Sequence, residues 1–247
     1  MPVTKSIKLH DDQVLWPEHK SLEEVLLLKE TTIPHVWETT YQGNDVVPGG
    51  NMFQLEWFPR FAELRDTGIQ KIAGRWISLD TGLSDTENSA RSAAIVGDLT
   101  TDYRLAVTDC WAEHVQFPQL INKTKELAYQ HNHDGKLQGV VIEKKASGFS
   151  LIQVLRQSAD EWLSGMILEY TPTYSKPMRW GEASLWCSLG MVLLPNPGQD
   201  FPWLFDFEGD LRDAPDVDIT DRLDAFAQLV IFLEHYLSEG YHARRGN

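Results

Sequence analysis

The feature that most constrains the fold is an unbroken apolar run, "GVVI" at residues 139–142, which ends on Glu143. A strand that is apolar at consecutive positions is covered on both faces, which is typical of a central strand in a parallel or mixed sheet. Parallel strands need crossover connections, and these are usually helices. The run therefore predicts an α/β fold with helices on both sides of a sheet, and it places a carboxylate at a strand end.

The patterns on either side of this run agree with that prediction. Three runs before it, separated by polar turns, predict an antiparallel meander: "IAGRWISLD", "SAAIVGDL" and "YRLAVTDCW". Helices are predicted in "FPQLINKTKELAYQ", "SGFSLIQVLRQ", "SKPMRWGEASLWCSLG" and "TDRLDAFAQLVIFLEHYL", and further strands in "MILEYT" and "MVLLP". The expected architecture is an α/β mixed central sheet, a three-strand meander plus parallel strands, flanked by helices.

The N-terminal quarter of the chain has a different character. Ser21 followed by Glu24 forms a capping box that predicts a helix in "SLEEVLLLKE", and turn formers dominate "NDVVPGGN". We therefore assign residues 1–65 to a connector arm and residues 66–247 to a single domain.

Composition excludes several classes of protein. The chain has 247 residues, of which 42% are hydrophobic, so it can bury a sizeable core. Cys110 and Cys187 lie far apart without a CxxC spacing, which argues against a disulfide framework or a zinc site. No apolar run has the length of a membrane span or the position of a signal peptide, so we expect a soluble protein that is not exported. The net charge of −14 argues against tight nucleic-acid binding by this surface alone.

Four acidic residues lie at the ends of predicted elements. Asp80 ends the first strand of the meander, Glu143 ends the apolar strand, and Asp221 and Asp224 lie three residues apart on the last helix. Each has an ordinary alternative: a turn for Asp80, an ion pair with one of the next two lysines for Glu143, and a solvent-facing helix surface for the aspartates. Their order along the chain, however, predicts that carboxylates from three elements meet at one edge of the domain.

Carboxylates brought together in this way can bind Mg²⁺, which takes oxygen ligands and keeps several waters. Two such ions about 4 Å apart can activate a water and stabilise the leaving oxygen of a phosphodiester, which is nuclease chemistry. Other chemistries lack their motifs, since the sequence has no GxxxxGK[ST] phosphate loop and no G-x-S-x-G elbow. His131 and His133 occupy an expected helix end, where the dipole favours histidine, and carry little weight as metal ligands.

Four segments, taken in order, resemble one family. They are "SLDTG" at 78–82, "VIEKKASGFSLIQVLR" at 141–156, the stretch 176–195 ending in "GMVLLP", and "TDRLDAFAQ" at 220–228. The chain resembles the C-terminal nuclease domain of the large terminase subunit of tailed bacteriophages, which has a ribonuclease H-like fold. The arm, with "LWPEHKSLEEV", "VWETTYQGN" and "GGNMFQLEWF", resembles the segment that joins the ATPase domain to the nuclease. The resemblance covers nearly the whole chain, and the P-loop ATPase half is absent from it.

The resemblance implies a catalytic metal site. Asp80 matches the first-strand ligand of the family, and Glu143 matches the acid that opens an E-D-K-A-S-G-like motif. Asp221 and Asp224 match the third acidic position, with Asp224 as an additional or alternative ligand. These four residues are expected to hold two Mg²⁺ or Mn²⁺ ions.

The chain also departs from the family pattern. Lys144 replaces the usual second acid of the E-D-K-A-S-G-like motif, and Ile219 and Thr220 stand where the H-D-D-x-x-D-A motif has its His and first Asp. Asp85 and Glu87, just after the first strand, are candidates for an auxiliary ligand or for solvated surface residues.

By resemblance, the expected function is a metal-dependent endonuclease that cuts concatemeric viral DNA during genome packaging. The implied partners are double-stranded DNA, the terminase ATPase domain, the small terminase subunit and the portal protein. The implied location is the cytoplasm of the bacterial host, with transient association with the procapsid portal. Two alternatives remain open: a related resolvase or transposase nuclease, and a catalytically impaired assembly module. The basic residues expected to contact DNA are Lys144, Lys145, Arg156, Lys176 and Arg179.

Overall fold

The computed structural model describes ten segments of the chain: residues 9–10, 13–14, 20–32, 37–42, 52–62, 72–82, 91–145, 147–198, 200–217 and 220–245. Asp85, Glu87 and Ile219, together with the loop "NDVVPGGN", lie outside the described residues. Within the described part of the chain, no helix combines the length and the apolar character that crossing a bilayer requires.

The strands form a short hairpin and one mixed sheet. They are β1 Leu9–His10, β2 Gln13–Val14, β3 Arg60–Phe61, β4 Ile72–Asp80, β5 Ser92–Thr100, β6 Leu105–Glu113, β7 Leu137–Glu143, β8 Ile167–Tyr170 and β9 Val192–Pro195. Strands β1 and β2 pair with each other, and the other seven form a sheet in the order β3-β9-β6-β5-β4-β7-β8. The predicted antiparallel meander is confirmed as β4-β5-β6, and β7 and β8 add to it in parallel on the β4 side.

The helices are α1 Leu22–Thr31, α2 Phe117–His131, α3 Ser147–Ser158, α4 Glu161–Gly165, α5 Lys176–Ser188, α6 Leu204–Asp213 and α7 Asp221–Arg245. Helices α2 to α7 cover both faces of the main sheet, whereas α1 packs with Val14 and Trp37 in a separate small core. One core lies between the sheet and α2, α3 and α4, and the other lies between the sheet and α5, α6 and α7. The apolar run in β7 serves both, since Val140 and Ile142 belong to the first core and Val141 to the second. The predicted two-sided burial of this strand is therefore confirmed.

The segment assigned to the arm contributes to two regions. Helix α1 begins at the predicted capping box, in which Ser21 Oγ accepts from the backbone N–H of Glu24 at 3.3 Å and the Glu24 carboxylate accepts from the Ser21 N–H at 2.8 Å. Further along, Phe53 and Phe58 are buried in the core beneath α7, and β3 pairs in parallel with β9 at the edge of the main sheet. Residues 52–62 are therefore packed into the domain itself.

Candidate active site

The site begins where two parallel strands end side by side. Leu79 of β4 is opposite Ile142 of β7, so the next residues, Asp80 and Glu143, project from adjacent strand ends. The carboxyl ends of parallel strands in an open α/β sheet are where ligands commonly bind. Glu143 is 8% exposed, and its ion-pair partner among the described residues is Arg179. The alternative of an ion pair with a following lysine is therefore wrong.

Helix α7 brings the other two aspartates to the same edge. Asp221 is 7% exposed and Asp224 is 1% exposed, so the alternative of a solvent-facing helix surface is wrong. The helix is covered on almost every side over residues 221–231, because Ala225, Ala227 and Leu229 are as completely buried as Leu223, Phe226 and Val230. An amphipathic pattern reveals the most apolar face of a helix, but it does not show what packs on the other face.

One cavity of about 350 Å³ collects most of the expected site residues. Its lining includes three of the four acidic residues and three of the five basic ones, namely Asp80, Glu143, Asp221, Lys145, Lys176 and Arg179. The remaining lining residues are Thr81, Gly82, Pro172, Tyr174 and Ser175. The structure thus brings residues from two strands, two helices and the loops between them around one opening.

Two of the basic residues expected to contact DNA lie elsewhere. Lys144 and Arg156 are absent from the cavity lining, and both form ion pairs with Glu169 on β8. The Lys144 Nζ–Glu169 Oε2 distance is 2.6 Å. These two cations are half exposed beside the site, on the outer side of β7.

Burial gives the strand-end aspartate an unusual electrostatic environment. Loss of solvent, together with the nearby charges of Asp224 and Glu143, raises the pKa of Asp80 from 3.8 to about 7, while the charge of Lys176 opposes the rise. Burial also raises the pKa of Asp221, against the hydrogen bond that its Oδ2 accepts from the Arg91 backbone N–H at 3.1 Å. Negative charge is therefore held at this edge at an energetic cost, as in many functional sites.

Asp224 is engaged by protein groups on both carboxylate oxygens. Trp180 Nε1 donates to Oδ1 at 3.1 Å, and Arg179 Nη2 lies 3.6 Å from the same oxygen. Oδ2 accepts from Thr220 Oγ1 at 3.0 Å and also from the Lys176 ammonium. Asp224 is accordingly not part of the cavity lining.

Arg179 lies between the two acidic groups that face α5. Its Nη1 is 3.8 Å from Glu143 Oε2, and the side chain is buried. Within the described residues, neither its Nε nor its Nη1 has a hydrogen-bond partner. The guanidinium therefore neutralises charge at the edge of the cavity without being saturated by hydrogen bonds.

A buried glutamine that the sequence patterns did not predict links α7 to β4 and β7, the three elements that carry the acidic residues. The Gln228 amide Nε2 donates to Ser78 Oγ at 3.0 Å, to the Leu79 carbonyl at 3.2 Å and to the Val141 carbonyl at 3.2 Å. These acceptors lie within two residues of Asp80 and Glu143. The signal in the sequence was the helical spacing, because Gln228 follows Asp224 by one turn and so shares its face.

The first turn of α3, which begins with Ser147 and Gly148, packs closely against the end of β7. An added Cβ at Gly148 would lie 2.0 Å from the Glu143 carbonyl oxygen, so only glycine permits this approach. The neighbouring Ser147 Oγ lies 2.9 Å from Thr81 Oγ1 and donates to the Thr81 carbonyl, also at 2.9 Å. The first turn of α3 therefore contacts the ends of both β4 and β7.

The donor set suits a hard divalent cation. Among the residues that the structure describes, no three Asp, Glu, His or Cys side chains are arranged to enclose a metal ion directly. The cavity nevertheless has room for an ion together with several waters, which is how Mg²⁺ is usually held by a few carboxylates. Asp80, Glu143 and Asp221 offer only oxygen ligands, and a bound cation would relieve the charge repulsion among them.

Comparison with known proteins places the fold. The chain matches no family model, and no curated protein matches its sequence. Among solved structures, the large terminase of a thermophilic bacteriophage matches with a TM-score of 0.57 and 14% identity, over 84% of this chain and 52% of the phage protein. The fold is that of the terminase nucleases.

A second solved structure supports the same assignment. The human cytomegalovirus terminase nuclease domain, studied as a manganese-soaked, inhibitor-bound form, matches with a TM-score of 0.51 and 10% identity. The match covers 73% of this chain and 94% of that domain. The predicted α/β, ribonuclease H-like mixed sheet is therefore confirmed. The chain spans about half the length of the phage large terminase that it matches.

Proposed function

We propose that this chain is a divalent-metal-dependent DNA endonuclease of the terminase type. The observation that carries the proposal is that Asp80, Glu143 and Asp221, from three separate elements, line one cavity at the carboxyl edge of the sheet. The fold shared with terminase structures supports the same reaction class, although many functions can share one fold.

Each group has a distinct place in the proposed reaction. Bound Mg²⁺ or Mn²⁺, two ions in the full arrangement, would supply an activated water and stabilise charge on the leaving oxygen. Asp80 and Glu143 present their carboxylates from rigid strand ends, and Asp221 adds a third from α7. Asp224, although assigned to the same ligand group by its motif, contributes through the hydrogen bonds that hold α5 beside α7.

The basic residues suggest how DNA reaches the site. Lys145 and Lys176 line the cavity beside the carboxylates and are placed to face a DNA phosphate there, with Arg179 behind them. Lys144 and Arg156 form a second basic group around Glu169, on the outer side of β7. Because the chain carries a net charge of −14, we expect weak and intermittent DNA binding.

The terminase fold suggests a biological setting for this reaction. We propose that the enzyme cuts concatemeric phage DNA during packaging, in the cytoplasm of the bacterial host and transiently at the procapsid portal. The partners would be double-stranded DNA, a terminase ATPase domain, a small terminase subunit and the portal protein. The matched phage large terminase extends well beyond the part that this chain covers and has been solved in complex with ADP, which is consistent with an ATPase partner for this chain.

One observation favours a second candidate function. Lys176, Thr220, Trp180 and Arg179 already occupy the oxygens of Asp224, and the described residues contain no preformed metal cluster. A packaging module that docks on portal or small subunit without cutting DNA would have a site of this kind. Its distinguishing property is the absence of cleavage under any divalent cation.

Cleavage of supercoiled plasmid DNA in Mn²⁺ tests the proposed function. We expect the wild-type chain to nick and linearise the plasmid, EDTA to stop it, and Glu143→Ala to abolish it with the fold intact by circular dichroism. Glu113→Ala is the matched control, because Glu113 also ends a strand of this sheet but is exposed and lies outside the cavity. Undiminished cutting by Glu143→Ala would refute the site assignment, and no cutting by the wild type would favour the packaging module.

A further inference from the structure

Lys176 occupies a position where its charge is unfavourable for the helix that carries it. It is the first residue of α5, and positive charge at a helix N-terminus opposes the helix dipole. Its side chain instead crosses to the start of α7, where the ammonium donates to Asp224 Oδ2 and to Thr220 Oγ1, the latter at 3.1 Å. The favourable interactions of this lysine are therefore with the acidic residues near the start of α7 and not with its own helix.

The ammonium acts on three aspartates at once. It is bonded to Asp224, and its charge lowers the pKa of both Asp80 and Asp221 against the effect of burial. It also lies on the wall of the cavity that those two residues line. A cation bound between Asp80 and Asp221 would have this ammonium as a close positive neighbour.

We propose that Lys176 is a built-in counter-cation, which stabilises the carboxylate cluster of the metal-free protein and weakens the binding of the divalent ion. The inference rests on the proposed function for the existence of the cation site, and it deepens that function by naming the residue that regulates occupancy. The ammonium and the divalent ion repel each other and neutralise the same aspartates. The affinity for the divalent ion is therefore lower than it would be without the Lys176 ammonium.

Lys145 supplies a matched control within the same cavity. It is a second exposed lysine of the lining, and within the described residues its ammonium has no ion pair. A general effect of removing one positive charge near the metal would appear in variants of both lysines. An effect of removing the counter-cation would appear in variants of Lys176 alone.

The experiment measures Mn²⁺ affinity by isothermal titration calorimetry and the melting temperature in EDTA, for the wild type, Lys176→Met and Lys145→Met. We expect Lys176→Met to bind Mn²⁺ roughly thirtyfold more tightly, as loss of a unit charge about 4 Å from a divalent ion implies in a well-solvated site. We expect the same variant to melt at a lower temperature without metal, because Asp224 loses its partner while buried. Lys145→Met should change each quantity much less.

Each outcome bears on the proposal separately from the nuclease assay. Unchanged or weaker Mn²⁺ binding by Lys176→Met overturns it, as do equal effects in the two lysine variants, or no Mn²⁺ binding by any of the three proteins. If Lys176→Met destabilises so strongly that it does not fold, Lys176→Gln replaces it, since the amide can still donate to Asp224 without the charge. Tighter binding by the Lys176 variant without DNA cleavage would support the counter-cation and refute the nuclease alone.

Discussion

Asp80→Asn should make the metal-free protein more stable, although it removes a proposed ligand. Burial and neighbouring carboxylates raise the pKa of Asp80 from 3.8 to about 7. Each pKa unit corresponds to about 1.4 kcal/mol, so ionised Asp80 costs the folded protein up to roughly 4 kcal/mol above pH 7. Because a buried charge is partly relieved by local relaxation, we expect the isosteric asparagine to recover about 2 kcal/mol.

The sign of the effect fixes its pH dependence. Because the folded pKa of Asp80 lies above the unfolded value, the folded state binds the proton more tightly. The resulting stabilisation is complete below about pH 4 and is lost as the pH rises from about 4 to about 7. The advantage of Asp80→Asn should therefore be small at about pH 4.5 and fully developed at about pH 8.

Urea unfolding in EDTA at these two pH values measures the difference, with the exposed Asp200→Asn as the control for loss of one negative charge. Adding Mn²⁺ at the higher pH should reverse the order, because the ion stabilises only a protein that binds it. Equal or lower stability of metal-free Asp80→Asn at the higher pH would refute the electrostatic reasoning. An equal gain in the stability of Asp80→Asn at both pH values would also refute it.

Three further predictions follow from the supporting structure. Gln228→Leu removes two N–H donors that three buried acceptors share, and because each lost hydrogen bond costs about 1–2 kcal/mol we expect urea unfolding to show a loss of about 2–4 kcal/mol. Steady-state kinetics should show a lower kcat with unchanged KM for DNA, whereas Thr124→Ala, on the opposite face of the sheet, should lower stability alone. Gly148→Ala should weaken both folding and Mn²⁺ binding, because the new methyl group collides with the Glu143 carbonyl; wild-type affinity in a calorimetric titration would contradict this. DNA affinity in Ca²⁺, measured by fluorescence anisotropy, should fall about 10- to 50-fold between about 50 and 200 mM salt, and salt-insensitive binding would contradict the intermittent contact.

The convergence of Asp80 and Glu143 could be predicted because it depends on local patterns and one topological rule. Each residue ends a recognisable strand, and the apolar run before Glu143 indicates a parallel neighbour. Parallel neighbours put their carboxyl ends at the same edge. In the structure β4 pairs in parallel with β7, and this pairing places Asp80 beside Glu143.

The partners of these carboxylates could not be predicted in the same way. Gln228 is 150 positions from Ser78, and Lys176 is 48 positions from Asp224, so neither pair has a local sequence signal. Lys144 forms an ion pair with Glu169, on a strand that the sequence pattern did not align with it. Side-chain pairing across elements depends on register and helix rotation, which periodicity alone leaves undefined.

Asp80, Glu143 and Asp221 are proposed to hold a catalytic cation at the carboxyl edge of the sheet. Anomalous X-ray diffraction from crystals of this chain soaked in Mn²⁺ tests this proposal directly. We expect an anomalous peak inside the cavity with these three carboxylates around it, and loss of that peak in Glu143→Ala crystals. A cavity without a peak at saturating Mn²⁺, in a protein that still cuts DNA, would contradict it.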